Sequence, residues 1–337
     1  MTLVKKERIP FIDIMKGVCI TMIVAVHIGG VINEEVKIVF QSFRVPMYYF
    51  LSGLFFKRYD GFMQFIIKKA NNIIIPFFFF FLISYFAAFI CSEFLGLYEK
   101  GQMGDRWKLM YILDPFGTNG IHFGSPLWFL LSLFWTNILY YAIANFKSYL
   151  VQLVIIICIS IVGYIAVGAS VLLPSYIDTA FVAIPFFFLG VIVKKNKMLP
   201  YNKYDKLGLL ILPSAVVLLF LHSGTEMNIA QRVLPNYFQM YAISIISILS
   251  LFLFCKNIKR RIPILSYIGQ YSLIVLGTHS LYCSPLKYLV KVCFGDTNFN
   301  SLIVWGLMMI IQIPTIYFFI KFFPQFTAQK TLFDKSN

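Results

Sequence analysis

The stretch PFIDIMKGVCITMIVAVHIGGV, residues 10–31, reads as a helix long enough to cross a bilayer. About 20 apolar residues at 1.5 Å each span the hydrocarbon core. Three residues stand out against that reading: Asp13, Lys16 and His27. An ionisable group at the centre of a membrane helix costs roughly 2.5–3.5 kcal/mol on insertion scales, so it persists only if paired or facing a polar cavity. Lys16 and His27 are 11 residues apart. At 100° per residue they lie about 20° apart around the axis and about 16 Å apart along it. Asp13 is three residues before Lys16, on nearly the same face, and Ile20 and Val24 complete the stripe. Two readings of it stand. Asp13 and Lys16 form either an interfacial ion pair, with Lys16 snorkelling inward, or part of a site. His27 is either a structural hydrogen bonder or a functional group sharing their face.

The same apolar character extends along the chain. Of 337 residues, 59% are hydrophobic and 13% charged, against about 25% charged in soluble domains, and the mean hydropathy is +0.79. Apolar blocks fall at 10–31, 37–56, 73–95, 126–145, 149–167, 176–194, 207–222, 235–255, 266–286 and 300–321. The connection Asn145–Tyr149 is so tight that it reads as either a turn or a kink in one long helix. These blocks predict an all-α, polytopic integral membrane bundle of about ten transmembrane helices, a single membrane-embedded domain over 1–337. The basic residues before the first block resemble a signal peptide. Asp13 and Lys16 interrupt the run and no small-residue cleavage site follows, so a retained helix is expected.

Charge placement tests this scheme. With the N-terminus inside, 20 of the 29 Lys and Arg residues fall in cytoplasmic segments, 7 in outer loops and 2, Lys16 and Arg44, within helices. That asymmetry follows the positive-inside rule and places both termini in the cytoplasm. The net charge of +15 is thereby topological, and no nucleic-acid partner is expected. The six cysteines form no C-x-x-C pair, which argues against a metal or redox site. No G-x-S-x-G, P-loop, H-E-x-x-H or Gly-rich dinucleotide fingerprint occurs. Phe77–Phe81 reads as a packing or lipid-facing surface.

Arg44 stands inside the second block, before Pro46. Arginine keeps its charge, and Pro46 frees a backbone carbonyl on the preceding turn. The pair predicts the wall of a wet cavity or, alternatively, an arginine snorkelling to the outer interface. All four histidines, His27, His122, His222 and His279, fall toward the outer side. His122 and His222 read as loop residues. His279 stands open between a structural and a site role. Glu93 and Asp178 read as exposed interfacial residues at outer helix ends.

Six segments, in order, carry a family resemblance: FIDIMKGVCITMIVAVH (11–27), FRVPMYYFLSG (43–53), KKANNIIIPF (68–77), SPLWFLLSLFW (125–135), AFVAIPFFFLG (180–190) and IGQYSLIVLGTH (268–279). Together they resemble the acyltransferase 3 family of bacterial membrane proteins, especially its fucose 4-O-acetylase-like branch. The resemblance implies a multi-pass enzyme of the bacterial cytoplasmic membrane. Its expected reaction moves acetyl from acetyl-CoA to a hydroxyl of an envelope or exported glycan, or of a lipid-linked sugar.

Lys16 and His27 match the family's first-helix spacing, with lysine where arginine is common. Lys68 and Lys69 match its basic pair before the third helix, and Asn72 stands where a second arginine is expected. Acyl transfer to a hydroxyl needs a base and a group that holds the oxyanion. His27 is expected as the base, suited by its ordinary pKa, with Arg44, which stands where relatives often have histidine, and Asp13 as further catalytic groups. Lys16, Lys68, Lys69 and Asn72 are implied around coenzyme A, and Arg44 and His279 around the acceptor, with no metal. The stripe from Lys16 to His27 is about as long as an extended pantetheine arm. The competing class is a transporter or flippase of a lipid-linked sugar, since a polar stripe in a bundle serves a carrier equally well.

Overall fold

The computed structural model describes residues 9–93, 109–118, 120, 121, 124–212, 215 and 227–333. Among them the chain is helical, apart from one isolated antiparallel bridge between Asn228 and Val233. The first helix, α1 (Pro10–Ile28), starts with proline at its first position and stops at Gly29, whose φ of 74° continues no helix. The short helices α2 (Glu34–Gln41) and α3 (Pro46–Leu54) follow. Next come α4 (Phe62–Lys69), a π-helical turn over Ala70–Ile74, and α5 (Ile75–Glu93). The rest are α6 (Trp128–Ile143), α7 (Tyr149–Gly168), α8 (Ile177–Lys195), α9 (Tyr237–Lys256), α10 (Pro263–Gln270), α11 (Ser272–Phe294) and α12 (Asn300–Phe322).

Among the described residues, six spans are long and apolar enough to cross a membrane: Pro10–Ile28, Phe62–Ile90, Tyr149–Gly168, Pro174–Lys195, Tyr237–Lys256 and Asn300–Phe322. The protein is a multi-pass membrane protein. The expected count of about ten differs from this six for identifiable reasons. The block 37–56 is divided between α2 and α3. The block 126–145 yields the 16-residue α6, and most of 266–286 lies in the 23-residue α11, which is long enough to span but is made too polar by residues such as His279, Lys287 and Lys291. Most of 207–222 lies outside the described residues. At Asn145–Tyr149 the chain turns, and the Ser148 hydroxyl accepts the Val151 N–H to cap α7.

The division at 42–45 has a local cause. Pro46 has no N–H for the Ser42 carbonyl. The Ser244 hydroxyl on α9 donates to that carbonyl instead, at 2.6 Å. The π turn has a similar origin. The Pro76 ring crowds the carbonyl four residues back, and the Ile75 N–H reaches Ala70 O, five residues back.

Two reciprocal glycine contacts set the packing. A Cβ on Gly17 of α1 would lie 2.2 Å from Leu265 O, and one on Gly269 of α10 would lie 1.8 Å from Asp13 O. A Cβ on Gly53 of α3 would lie 1.8 Å from Phe187 O, and one on Gly190 of α8 would lie 2.0 Å from Phe50 O. Helices in lipid gain contact where small residues let backbones meet. Phe252 of α9 lies between the two pairs, edge-on to Phe11 of α1 and to Phe50 of α3, with centroids 5.7 and 5.5 Å away. The run Phe77–Phe81 is mainly packing surface, since Phe77, Phe80 and Phe81 are buried.

Polar contacts gather the basic segments at one end of the bundle. Arg58 donates to Ala144 O and Asn145, and Lys194 Nζ donates to Phe56 O. Buried Lys256 pairs with Asp205 at 2.7 Å. At the opposite end the Tyr164 hydroxyl donates to Pro235 O, and the Ile121 N–H donates to the Tyr176 hydroxyl.

Candidate functional site

Between α1 and the α2–α3 pair lies a cavity of about 810 Å³. Each side presents one helical face to it. From α1 come Lys16, Ile20, Ile23 and His27, spaced four, three and four residues apart. From α2, the turn and α3 come Lys37, Gln41, Arg44 and Tyr48, with the same spacing. Residues so spaced share one face of a helix. The Tyr48 hydroxyl crosses to donate to Lys16 O at 2.9 Å. Lys68, Lys69 and Asn72, from the end of α4 and the π turn, complete the wall at the basic end.

Six of the eight candidate site residues therefore line one space: Lys16, His27, Arg44, Lys68, Lys69 and Asn72. Asp13 is the first exception. It is buried at the contact of α1 with α10, and its carbonyl faces Gly269. Three residues turn a helix by about 300°, so Asp13 lies some 60° off the Lys16 line, enough to face a different neighbour. Val24, expected in the stripe, is likewise buried, and Ile23 takes its place on the cavity wall. His279 is the second exception. It stands just behind the wall, its ring 5.1 Å from that of His27 at an interplanar angle of 62°. His122 and His222 lie outside the described residues.

Backbone contacts fix the tautomer of both histidines. His27 Nδ1 is 2.8 Å from Ile23 O and His279 Nδ1 is 2.9 Å from Val275 O. A carbonyl only accepts, so each Nδ1 carries the proton and each neutral ring keeps its lone pair on Nε2. His27 is exposed to the cavity. His279 is 1% exposed, and its Nε2 finds no protein partner.

Arg44 is 8% exposed, and its Nε and Nη1 find no acceptor in the protein. The Gln41 side-chain oxygen, one turn away, is also buried without a partner. A buried cation without a partner is costly. Here it faces the same space as the free nitrogen of His27. The cavity thus holds a base, a fixed positive charge and, toward its basic end, three lysines. Such a set takes a proton from a hydroxyl, holds developing negative charge and anchors an anionic ligand. Among the described residues no group of three His, Cys, Asp or Glu is placed to hold a metal.

A family model described as an acyltransferase domain matches residues 9–323. The chain belongs to the acyltransferase 3 family. This acyltransferase matches no curated protein and no solved structure. Membership does not favour the transporter reading of the polar stripe.

Three features of the acyltransferase's site were not legible from sequence. Gln41 and Tyr48 carry no ionisable signal inside the membrane, although their spacing from Arg44 would have placed them on its face. Asp178, expected to be exposed, is fully buried and paired with Arg232 at 2.5 Å. The Arg232 guanidinium also lies over Tyr176, 5.1 Å from its ring centre. This pair ties the 227–233 loop, which lines the cavity, to the start of α8. Removing one partner of a buried pair strands the other charge. Asp178→Asn is expected to lower stability by about 3 kcal/mol, measured as a lower unfolding temperature in detergent. Asp178→Asn with Arg232→Gln is expected to recover part of that loss.

Proposed function

We propose that this acyltransferase moves an acetyl group from cytoplasmic acetyl-CoA to a hydroxyl of an envelope or exported sugar, at the bacterial cytoplasmic membrane. The observation that carries the reading is the single cavity that joins Lys68 and Lys69 at the basic end to the free Nε2 of His27. The lysines and Asn72 hold the phosphates of the donor, and Lys16 lines the path of its arm. The distance of about 16 Å along α1 is the length an extended pantetheine arm covers.

The reaction follows from three groups. His27 Nε2 takes the proton of the acceptor hydroxyl as its oxygen attacks the thioester carbonyl. The tetrahedral oxyanion forms beside the Arg44 guanidinium, which is already charged and fixed. The C–S bond then breaks, the thiolate leaves, and the His27 imidazolium returns the proton to it. Acyl group and proton both balance, and no covalent acyl-enzyme is required. Asp13 has no part in these steps. It sits behind Lys16 at the α1–α10 contact and supports the helix that carries the site.

The test supplies cells with isotope-labelled acetate, with and without the protein, and measures envelope and secreted glycans by mass spectrometry. A labelled acetyl group on a glycan only when the protein is present supports the reading. Identical acetylation with and without it, accompanied by a change in glycan export, would remove it.

A further inference from the structure

The π turn at the basic end of the cavity is met by a part of the chain 261 residues away in sequence. Beyond α12 the chain folds into a hook: Gln329 N–H and Lys330 N–H both donate to Pro324 O at 2.9 Å. Thr327, inside the hook, is fully buried, and the Phe326 ring stacks on Phe79 of α5, 5.0 Å between centroids. The hook delivers Leu332 and Phe333 to the π turn. There the Asn71 side chain reads their backbone as a strand partner would. Its Oδ1 accepts Leu332 N–H at 2.6 Å and Phe333 N–H at 2.9 Å. Its Nδ2 donates to Phe333 O at 3.0 Å and to Ile67 O, in its own helix, at 2.9 Å.

Asn71 is 1% exposed, with both polar atoms of its side chain bonded. It is flanked by the residues that meet the ligand: Lys68 and Lys69 precede it, Asn72 follows it, and all three line the cavity. Asn71 belongs to the π turn Ala70–Ile74. A π turn is a rare and easily lost helix register. Reverting it to α-helix would shift the residues before it by about 100° around the axis relative to α5, carrying Lys68 and Lys69 off the cavity wall. The clamp on Asn71 opposes that rotation from the side away from the cavity.

We propose that Asn71 is a positioning residue for the donor, and that the C-terminal segment through Phe333 is the strap through which it acts. The strap holds the π turn in the register that aims Lys68, Lys69 and Asn72 into the cavity. Without it the phosphate-binding wall is misaligned while the base and Arg44 stay in place. This rests on the reading of coenzyme A as donor.

The test measures binding of coenzyme A to the purified full-length protein in detergent by calorimetry, with unfolding temperatures in parallel. Asn71→Ala removes the side-chain half of the clamp. Leu332→Pro removes the backbone N–H from the other half, and Leu332→Ala keeps it. Asn71→Ala loses the three hydrogen bonds to the strap and Leu332→Pro loses one; release of the π turn by either is expected to lower affinity about tenfold. That loss is expected for Asn71→Ala and Leu332→Pro, with no further loss when the two are combined and none for Leu332→Ala.

Wild-type affinity in both Asn71→Ala and Leu332→Pro, whatever their unfolding temperatures, would overturn the proposal and leave the strap a stabilising contact. An additive loss in the combined variant would also overturn it, because the two residues would then not act through one clamp. Failure of the wild-type protein to bind coenzyme A would instead remove the donor reading, and this role for Asn71 with it.

Discussion

His27→Ala protein is expected to insert and fold as the wild type does, and to transfer acyl groups about 10²–10⁴-fold more slowly, the range lost with a positioned general base. Two features make the effect this large. The Nδ1 contact to Ile23 O leaves the Nε2 lone pair of this cavity-lining histidine free, so the proposed base needs no change of tautomer before it takes a proton. No second exposed histidine lines the cavity among the described residues, and the nearest, His279, is buried behind the wall. Steady-state transfer to a glycan acceptor, with insertion checked by membrane fractionation, measures the effect. His27→Gln separates chemistry from packing, because it fills the space and still cannot accept and return a proton. Transfer by His27→Gln within threefold of wild type would transfer the role of base to another group.

Arg44→Met is expected to move activity and stability in opposite directions. Removing a group that stabilises an oxyanion costs about 10²–10³ in kcat. The same substitution removes a buried charge whose Nε and Nη1 have no acceptor in the protein. Replacing such a charge with an apolar side chain of similar length is expected to stabilise the fold by about 1 kcal/mol or more. A higher unfolding temperature together with a collapsed kcat therefore marks Arg44 as held under strain for catalysis. A lower unfolding temperature would mark it as a packing residue. Arg44→Lys keeps the charge but loses the planar set of donors, and is expected to fall between wild type and Arg44→Met.

The parts of this site that were legible in the sequence are those that helical arithmetic controls. The 11-residue spacing put Lys16 and His27 on one wall because α1 is regular from Pro10 to Ile28. Pro46 announced a freed carbonyl, and the Ser42 oxygen is the one that Ser244 now satisfies. Asp13 escaped the same arithmetic by 60°, the margin by which a neighbouring helix claims a residue at the edge of a stripe. Asp178 and Asn71 were illegible for a different reason. Their partners, Arg232 and the backbone of Leu332 and Phe333, are brought to them by the fold, 54 and about 260 residues away. Backbone partners also leave no trace in side-chain pattern. The division of 37–56 into two short helices was hidden by hydropathy, which is blind to a turn whose residues stay apolar.

The reciprocal glycine contacts bear on how the two walls of the cavity are held apart. Gly17 with Gly269 joins α1 to α10, and Gly53 with Gly190 joins α3 to α8, each pair meeting backbone to backbone. Helices fused so closely cannot slide individually without a clash. The wall bearing His27 and the wall bearing Arg44 thus belong to two close-packed helix pairs, and Phe252 on α9 touches both. The separation between the His27 ring and the Arg44 guanidinium is thereby set by how the two pairs pack against Phe252, and not by either helix alone.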